Sequence, residues 1–364
     1  MEAVRLGLVG VGGMGGEHLD MAYDTVPEIR FTALCDVNQE ALEQKGRQYN
    51  LPVFTDYHAL IDSGLCEAVL IATPHPFHAP VAIYAAERGL HVLTEKPLAV
   101  AVSAADAMCA AAQARGVLLG IMFQERTLPV YRAAHRLISS GALGPIYRRV
   151  LLASHWFRTQ AYFNSAAWRG TWRGEGGGII MNQAAHSLDL LLWLGGQPEC
   201  VTAQAWTRGH TIEVEDTVSA LLEYEAGGAG YLYTTTAQYP GQMRLEFSGE
   251  QGQLVIEDGQ ARFFRLVRPL SESIRTEPMY QMPEGNWEEL SFDDAGSGHV
   301  EVVRRFAQAI RHGAPLIADG TDGARSLELA NALLLSGYER RPVSLPLERA
   351  DYDAFLQHRC AGTG

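Results

Sequence analysis

The sequence predicts an α/β protein in two parts: a doubly wound parallel sheet, then an α+β domain with a large, mostly antiparallel sheet. Three observations predict it. Short, almost wholly apolar runs alternate with helix-length segments through the first third of the chain. A glycine-rich run stands where the first strand would pass into the first helix. After about Gln124 the pattern changes to strand-length segments separated by turn signals. A chain of 364 residues is too long for one ordinary domain and comfortable for two. The boundary is expected at 123/124, giving parts 1–123 and 124–364, with the last helices free to pack back on the first part.

The elements follow in order. Val4–Val9 is an apolar strand ending at glycine, and Gly13–Tyr23 a helix. Arg30–Cys35 and Asn38–Tyr49 repeat the pair. Ala68–Ala72 is apolar throughout, as a strand covered on both faces must be. Pro80–Arg88 reads as a helix stopped by Gly89, Leu90–Leu93 as a strand, and Ala104–Arg115 as a helix with Ser103 for its N-cap. Val117–Phe123 closes the series. Repeated strand–helix alternation specifies a doubly wound sheet.

Beyond it come a helix at Leu128–Ser139, a strand at Ile146–Ser154, an aromatic and arginine-rich stretch over His155–Arg173, and a very apolar helix over Ile179–Leu194. Strands follow at Val201–Trp206, Thr217–Tyr224, Gly230–Thr236, Met243–Ser248, Gly252–Glu257 and Ala261–Leu266. Turn signals such as Gly227-Gly228 and Asp258-Gly259 separate them. Helices return at His299–Arg311 and Thr321–Tyr338. The second part therefore reads as a sheet with helices on one face.

Composition narrows the function. There are 29 Lys plus Arg against 42 Asp plus Glu, a formal charge of −13, which argues against a nucleic acid or an anionic membrane as partner. No run approaches the roughly 18 apolar residues of a membrane span. The N-terminal segment has no basic flank and is not read as a signal peptide. Five scattered cysteines, none at metal-site spacing, fit a reduced compartment, so a cytoplasmic protein is expected.

Gly10-Val11-Gly12-Gly13-Met14-Gly15 matches G-x-G-x-x-G at the end of a strand and the start of a helix. Its glycines permit a tight turn, close approach of a pyrophosphate, and close helix–strand packing. The helix N-terminus favours phosphate. Asp36 ends the second strand, 21 residues beyond Gly15, at the spacing of a ribose-binding acid. A carboxylate there repels a 2′-phosphate, and no basic residue follows before Lys45. The expected cofactor is NAD rather than NADP.

Three further segments carry candidate chemistry. Thr73-Pro74-His75-Pro76-Phe77-His78 follows an apolar strand, so Thr73, Pro74 and His78 are placed to border the cofactor. His75 and His78 have H-x-x-H spacing but no evident third ligand, and no metal is expected. Glu95-Lys96-Pro97 follows the next strand. Lys96 can bond a substrate hydroxyl and stabilise developing alkoxide, and Glu95 can orient it or bind ribose. In Gly176–Asp189, Asn182, His186 and Asp189 fall on one stripe of the expected helix. Its other faces are apolar, so the stripe needs partners that a polar pocket would supply. His186 is the natural general base, since histidine titrates near neutral pH.

Together these motifs resemble the Gfo/Idh/MocA family, the glucose–fructose oxidoreductase and inositol dehydrogenase group, over nearly the whole chain. The carriers are GVGGMG at Gly10–Gly15, ATPHPFH at Ala72–His78, EKP at Glu95–Pro97 and GGGIIMNQAAHSLD at Gly176–Asp189. The resemblance implies a Rossmann domain followed by a substrate-binding α+β domain whose sheet mediates homodimers or homotetramers. It implies that Lys96 and His186 are the catalytic pair, while the position of Glu95 and Lys96 after their strand places both beside the cofactor. Many relatives carry aspartate where this chain has Asn182, and asparagine can bond a hydroxyl but cannot take a proton. Arg158, Trp168, Arg169 and Trp172 suit a carbohydrate, with aromatic faces against sugar rings and guanidiniums on hydroxyls or carboxylates.

The expected activity is hydride transfer between a sugar, cyclitol or related polyol and NAD, with the substrate between the nicotinamide and the helix of His186. A redox-neutral variant of the same chemistry, in which oxidation permits elimination or epimerisation before the hydride returns, stays open. It would need a further base, for which Tyr162, His155 and His210 are candidates. A non-catalytic NAD-binding sensor on the same fold also stays open.

Overall fold

The computed structural model describes residues 2–292 and 296–362. Its contacts divide the chain into two compact units, one of residues 1–127, 173–176 and 296–327, the other of 128–172, 177–295 and 328–364.

The first unit carries a six-stranded sheet. Its strands are β1 (Val4–Val9), β2 (Ile29–Cys35), β3 (Val53–Phe54), β4 (Ala68–Ile71), β5 (His91–Thr94) and β6 (Leu119–Ile121). Their order is β3-β2-β1-β4-β5-β6, all parallel. β4 is buried at every residue, which is why it reads as an unbroken apolar run. Order reverses between β1 and β4, where the chain turns from building outward on one side to building on the other. Ligands of such sheets bind at that switch point, beyond the C-terminal strand ends. Leu6, Leu8, Phe31 and Leu70 form a core with Val302, Val303 and Phe306 of helix His299–His312. Arg126 is buried and donates to Asp322 Oδ2 at 2.9 Å.

The second unit carries a nine-stranded sheet. The remaining strands are β7 (Ile146–Ala153), β8 (Cys200–Trp206), β9 (Thr217–Tyr224), β10 (Gly228–Thr235), β11 (Met243–Gly249), β12 (Gly252–Glu257), β13 (Gln260–Leu266), β14 (Gly285–Glu289) and β15 (Val343–Ser344). Their order is β14-β13-β12-β11-β7-β10-β9-β8-β15. Only β7 and β10 pair in parallel; the other pairings are antiparallel. Helix Ala185–Gly195 packs on β7 and on helix Pro129–Ser139. The opposite face exposes alternate residues such as Leu221 and Tyr231, the pattern of an antiparallel sheet covered on one side.

Several elements differ from expectation. Helix Val102–Arg115 begins before Ser103, with Ala101 as an N-cap lacking a side-chain bond. Val102 is buried, and its packing draws the first turn back. Helix His78–Glu87 starts before Pro80, which sits in its first turn where no amide is needed. β14 was not expected, and Asn286-Trp287-Glu288-Glu289 carries no apolar run that would signal it. Cross-strand partners make it a strand: Trp287 meets Phe264, and Glu288 is paired with Arg265 at 2.9 Å. Helices Leu270–Thr276 and Arg349–Ala361 were also unexpected.

Among the described residues no helix is long and apolar enough to cross a membrane, and no group of three or more metal-ligating side chains occurs. The cysteines are free thiols; burial pushes Cys35 up to about 12.

Candidate active site

The glycine-rich loop fits a dinucleotide. Gly12 is the N-cap of helix Gly13–Ala22, with no side-chain cap and no acidic residue in the first turn. The helix's first amides are thus left for an anion. A Cβ on Gly12 or Gly13 would meet nothing within 4 Å, so the outer side of the loop is open. The inner side is tight: a Cβ on Gly15 would stand 1.9 Å from the Gly10 carbonyl oxygen, which only glycine avoids. Val11 and Met14 complete the loop, and Val11 N–H donates to Asp36 Oδ2 at 2.8 Å. Asn38 N–H donates to Asp36 Oδ1 at 2.8 Å. The carboxylate is thereby anchored with lone pairs to spare for a ribose. The next cations are engaged elsewhere, Lys45 with Asp20 and Arg47 with Glu43.

At the end of β4, the Thr73 hydroxyl is buried with no hydrogen-bond partner among the described residues. Thr73 N lies 3.0 Å from where a Cβ of Gly10 would stand, so an orphaned hydroxyl belongs to the residue abutting the glycine loop. Pro74 precedes the short turn His75–Phe77. His78 is fully buried; its ring nitrogens lie 2.8 Å from the carbonyls of Pro97 and Thr73. It therefore ties the loop after β4 to the loop after β5, with no ring edge presented outward. The His75 ring is also buried, with Nδ1 3.0 Å from Glu175 O, and burial above all holds it down at about 3.

Lys96 follows Thr94, the last residue of β5, and Glu95. Glu95 is buried, with Oε1 2.6 Å from His18 Nε2 and Oε2 accepting from Lys96 N–H at 3.2 Å. Burial opposes its ionisation, yet the bond and charge of His18, with the Lys96 ammonium, hold the carboxyl down at about 2. His18 belongs to the helix opened by the glycine loop and also meets His299 edge-on at 5.2 Å. It was not singled out from the sequence, although it falls three residues after Gly15 on the buried face of that helix.

The Gly176–Asp189 segment corrects one expectation. The helix runs only over Ala185–Gly195, while Ile179–Ala184 form turns. His186 and Asp189 share the helix and are buried, but Asn182 stands before it, half-buried, with its N–H on Gly178 O at 3.1 Å. The cause is tertiary. The buried Glu215 carboxylate accepts from Gly178 N–H at 2.9 Å and Ile180 N–H at 3.1 Å, and Ile179 N–H donates to Glu215 O at 3.0 Å. A Cβ on Gly178 would stand 1.8 Å from that carbonyl oxygen. A strand-entry glutamate thus holds Gly178–Ile180 at the start of the turn through its carboxylate and its carbonyl.

In the aromatic stretch, Arg158 and Arg169 flank Tyr162, with Cζ 4.9 and 4.3 Å from its ring centroid. Arg169 also lies over Trp168 at 4.4 Å and donates to Tyr162 OH. Gln183 Nε2 donates to the same hydroxyl at 3.2 Å. Trp172 stands apart from this group, buried edge-on against Tyr338 and Phe355. His210 has Nδ1 2.9 Å from Asp216 Oδ2 and Nε2 2.9 Å from Arg158 O, so both nitrogens are taken. Burial lowers His155. Glu215, Asp216 and Gln183 escaped the sequence reading; the acidic run Glu213-Val214-Glu215-Asp216 was the available signal.

A family model described as an oxidoreductase family with an NAD-binding Rossmann fold matches residues 4–123, and the GFO/IDH/MocA C-terminal domain matches residues 131–255. D-apiose dehydrogenase of Paraburkholderia graminis is 26% identical, covering 95% of this chain and 91% of its own. The NAD(+) scyllo-inositol 2-dehydrogenase of Bacillus subtilis is 24% identical, covering 95% and 98%. The WlbA dehydrogenase of Bordetella pertussis, solved with NADH and UDP-GlcNAcA, superposes with a TM-score of 0.81 at 28% identity, covering 95% and 100%.

Proposed function

The chain belongs to the Gfo/Idh/MocA family as an NAD-dependent oxidoreductase, and from that premise we propose that it oxidises a secondary hydroxyl of a sugar, cyclitol or related polyol through Lys96 and His186. The observation that carries the residue roles is the buried His18–Glu95 pair. It fastens the helix at whose N-terminus phosphates bind to the residue preceding Lys96, so cofactor loop and Lys96 share one frame. Gly10–Gly15, Asp36, Thr73 and Pro74 would hold the dinucleotide. NAD, when bound, supplies the hydride acceptor.

A ring nitrogen of His186 takes the hydroxyl proton, while Lys96 Nζ donates a hydrogen bond to the same oxygen and steadies the negative charge that develops on it. Asn182 orients the substrate through its amide without exchanging a proton. In reduction the groups act in reverse, His186 returning the proton to the carbonyl oxygen. The names of the relatives, dehydrogenases of D-apiose and scyllo-inositol, support the polyol class.

The test is turnover. NADH is followed at 340 nm with sugars, sugar acids and inositols. Lys96→Ala and His186→Ala are each expected to lose about 10²–10⁴ in kcat. Full turnover by both variants overturns the assignment, as does product without net NADH.

A cytoplasmic homo-oligomer joined through the nine-stranded sheet completes the proposal. The exposed Leu221, Tyr231 and Trp206 on β8–β10 support the interface, and light scattering of the purified protein measures it.

A further inference from the structure

We infer that Arg158 and Arg169 form a subsite for an oxyanion, a carboxylate or phosphate, carried by the sugar substrate; this rests on the sugar-oxidising reading above. The two Cζ atoms share one tyrosine ring, which places them no more than about 9 Å apart. Both side chains are half-buried. Neither is paired with a carboxylate among the described residues, and the Nε of each is buried without an acceptor there. The Trp156 indole N–H is in the same condition, beneath Arg158 at 5.3 Å. Their remaining bonds go to neutral oxygens: Arg158 Nη1 to Phe157 O at 3.1 Å, Arg169 Nη1 to Tyr162 OH.

Counter-charge is plentiful in this chain, with 42 acids against 29 bases. Other arginines take it: Arg244 holds Glu246 and Glu257, Arg265 holds Glu288, and Arg311 holds Glu67. Two neighbouring guanidiniums left without it repel one another in partly desolvated surroundings, and an arriving anion relieves that cost.

The cluster is also pre-organised. Arg158 N–H donates to Thr236 O at 3.0 Å, and its carbonyl faces His210 Nε2, backed by Asp216. Gln183 ties Tyr162 to the turn that bears Asn182 and leads to His186. The aromatic rings thus serve as shelves for cations as well as surfaces for a sugar.

The experiment titrates NADH-loaded enzyme by calorimetry with D-glucuronate, D-glucose 6-phosphate and D-glucose. At least one anionic probe is expected to bind about tenfold or more tighter than glucose. Arg158→Gln and Arg169→Gln should each lose about tenfold in that affinity, Arg169→Lys should retain part of it, and added salt should weaken it. Preference for glucuronate assigns a carboxylate, preference for the sugar phosphate a phosphate. The inference is overturned if glucose binds as well as both anions, if no anionic probe binds, or if the glutamine variants with unchanged melting temperatures keep full affinity. NADH formation from oxidised NAD is read with the same sugars. Anion binding with no NADH formed from these sugars or from the wider panel of sugars, sugar acids and inositols sinks the dehydrogenase reading and leaves the subsite. Oxidation of glucose indifferent to both arginines does the reverse.

Discussion

Burial holds the His75 imidazole down at about 3, against 6.5 for the open ring, with the charges of His78 and Lys96 reinforcing it. The unfolded chain therefore binds a proton below pH 6.5 that the native ring refuses. Stability is complete above that value and falls as pH drops through the window from 6.5 toward 3. By pH 5 the loss attributable to this ring is about 2 kcal/mol. Glu95 has the opposite chemistry but the same direction. Its carboxyl is held down at about 2, against 4.5, so its stabilisation is present above 4.5 and drains as pH falls toward 2. Denaturant unfolding at pH 7 and pH 5 should show the native protein losing stability on acidification, with His75→Gln losing about 2 kcal/mol less across the same interval. An identical pH difference in the variant would show that His75 is not a source of the acid sensitivity. Asp36 could be located by counting from the glycine motif, but its grip on Val11 N–H could not, because that bond depends on where two strand ends meet.

An element can be recognised from its own residues only when its own residues hold it. The parallel strands other than the two-residue β3, and the helix opened by the glycine loop, are of that kind: apolar runs and glycines are local signals. The turn over Ile179–Ala184 is not. Its sequence, Ile-Ile-Met-Asn-Gln-Ala, would serve equally well in a helix, and the carboxylate that unwinds it arrives from Glu215, 36 residues beyond Ile179. β14 is hidden for the same reason, since Phe264 and Arg265 make it a strand. The Glu215 arrangement has a measurable consequence. Glu215→Ala leaves two buried N–H groups without their acceptor, at a cost of about 2–4 kcal/mol in unfolding free energy. It also frees the turn that precedes His186, the proposed base, so kcat should fall at least about tenfold, while the KM for NAD, set under the same proposal by the glycine loop, should hold. Stability and kcat both unchanged would show that Glu215 does not position the segment.

For the whole molecule the question is what covers the outer face of the nine-stranded sheet. A formal charge of −13 keeps copies apart unless a surface gives them reason to meet. Leu221 is 61% exposed, and its cross-strand partner Tyr231 is 38% exposed beside it. Trp206 adds an exposed ring on the same face at the end of β8, beyond Thr202 and Gln204. Arg148 and Arg244 sit at its flank on β7 and β11, both paired with Glu246, so their charge is already answered within the sheet. Exposed Leu221 and Tyr231, with the two arginines at the flank already neutralised, suit a self-associating surface better than one facing water. One such patch suffices for a twofold contact, because an isologous contact needs only a surface that matches itself. Leu221→Lys places a cation at the middle of that patch without touching the core, so circular dichroism should be unchanged while light scattering shows the assembly dissociating, with an apparent Kd raised at least about tenfold. A native protein that scatters as a monomer, or a variant that assembles as tightly as the native chain, would locate the contact elsewhere and leave this face to some other partner.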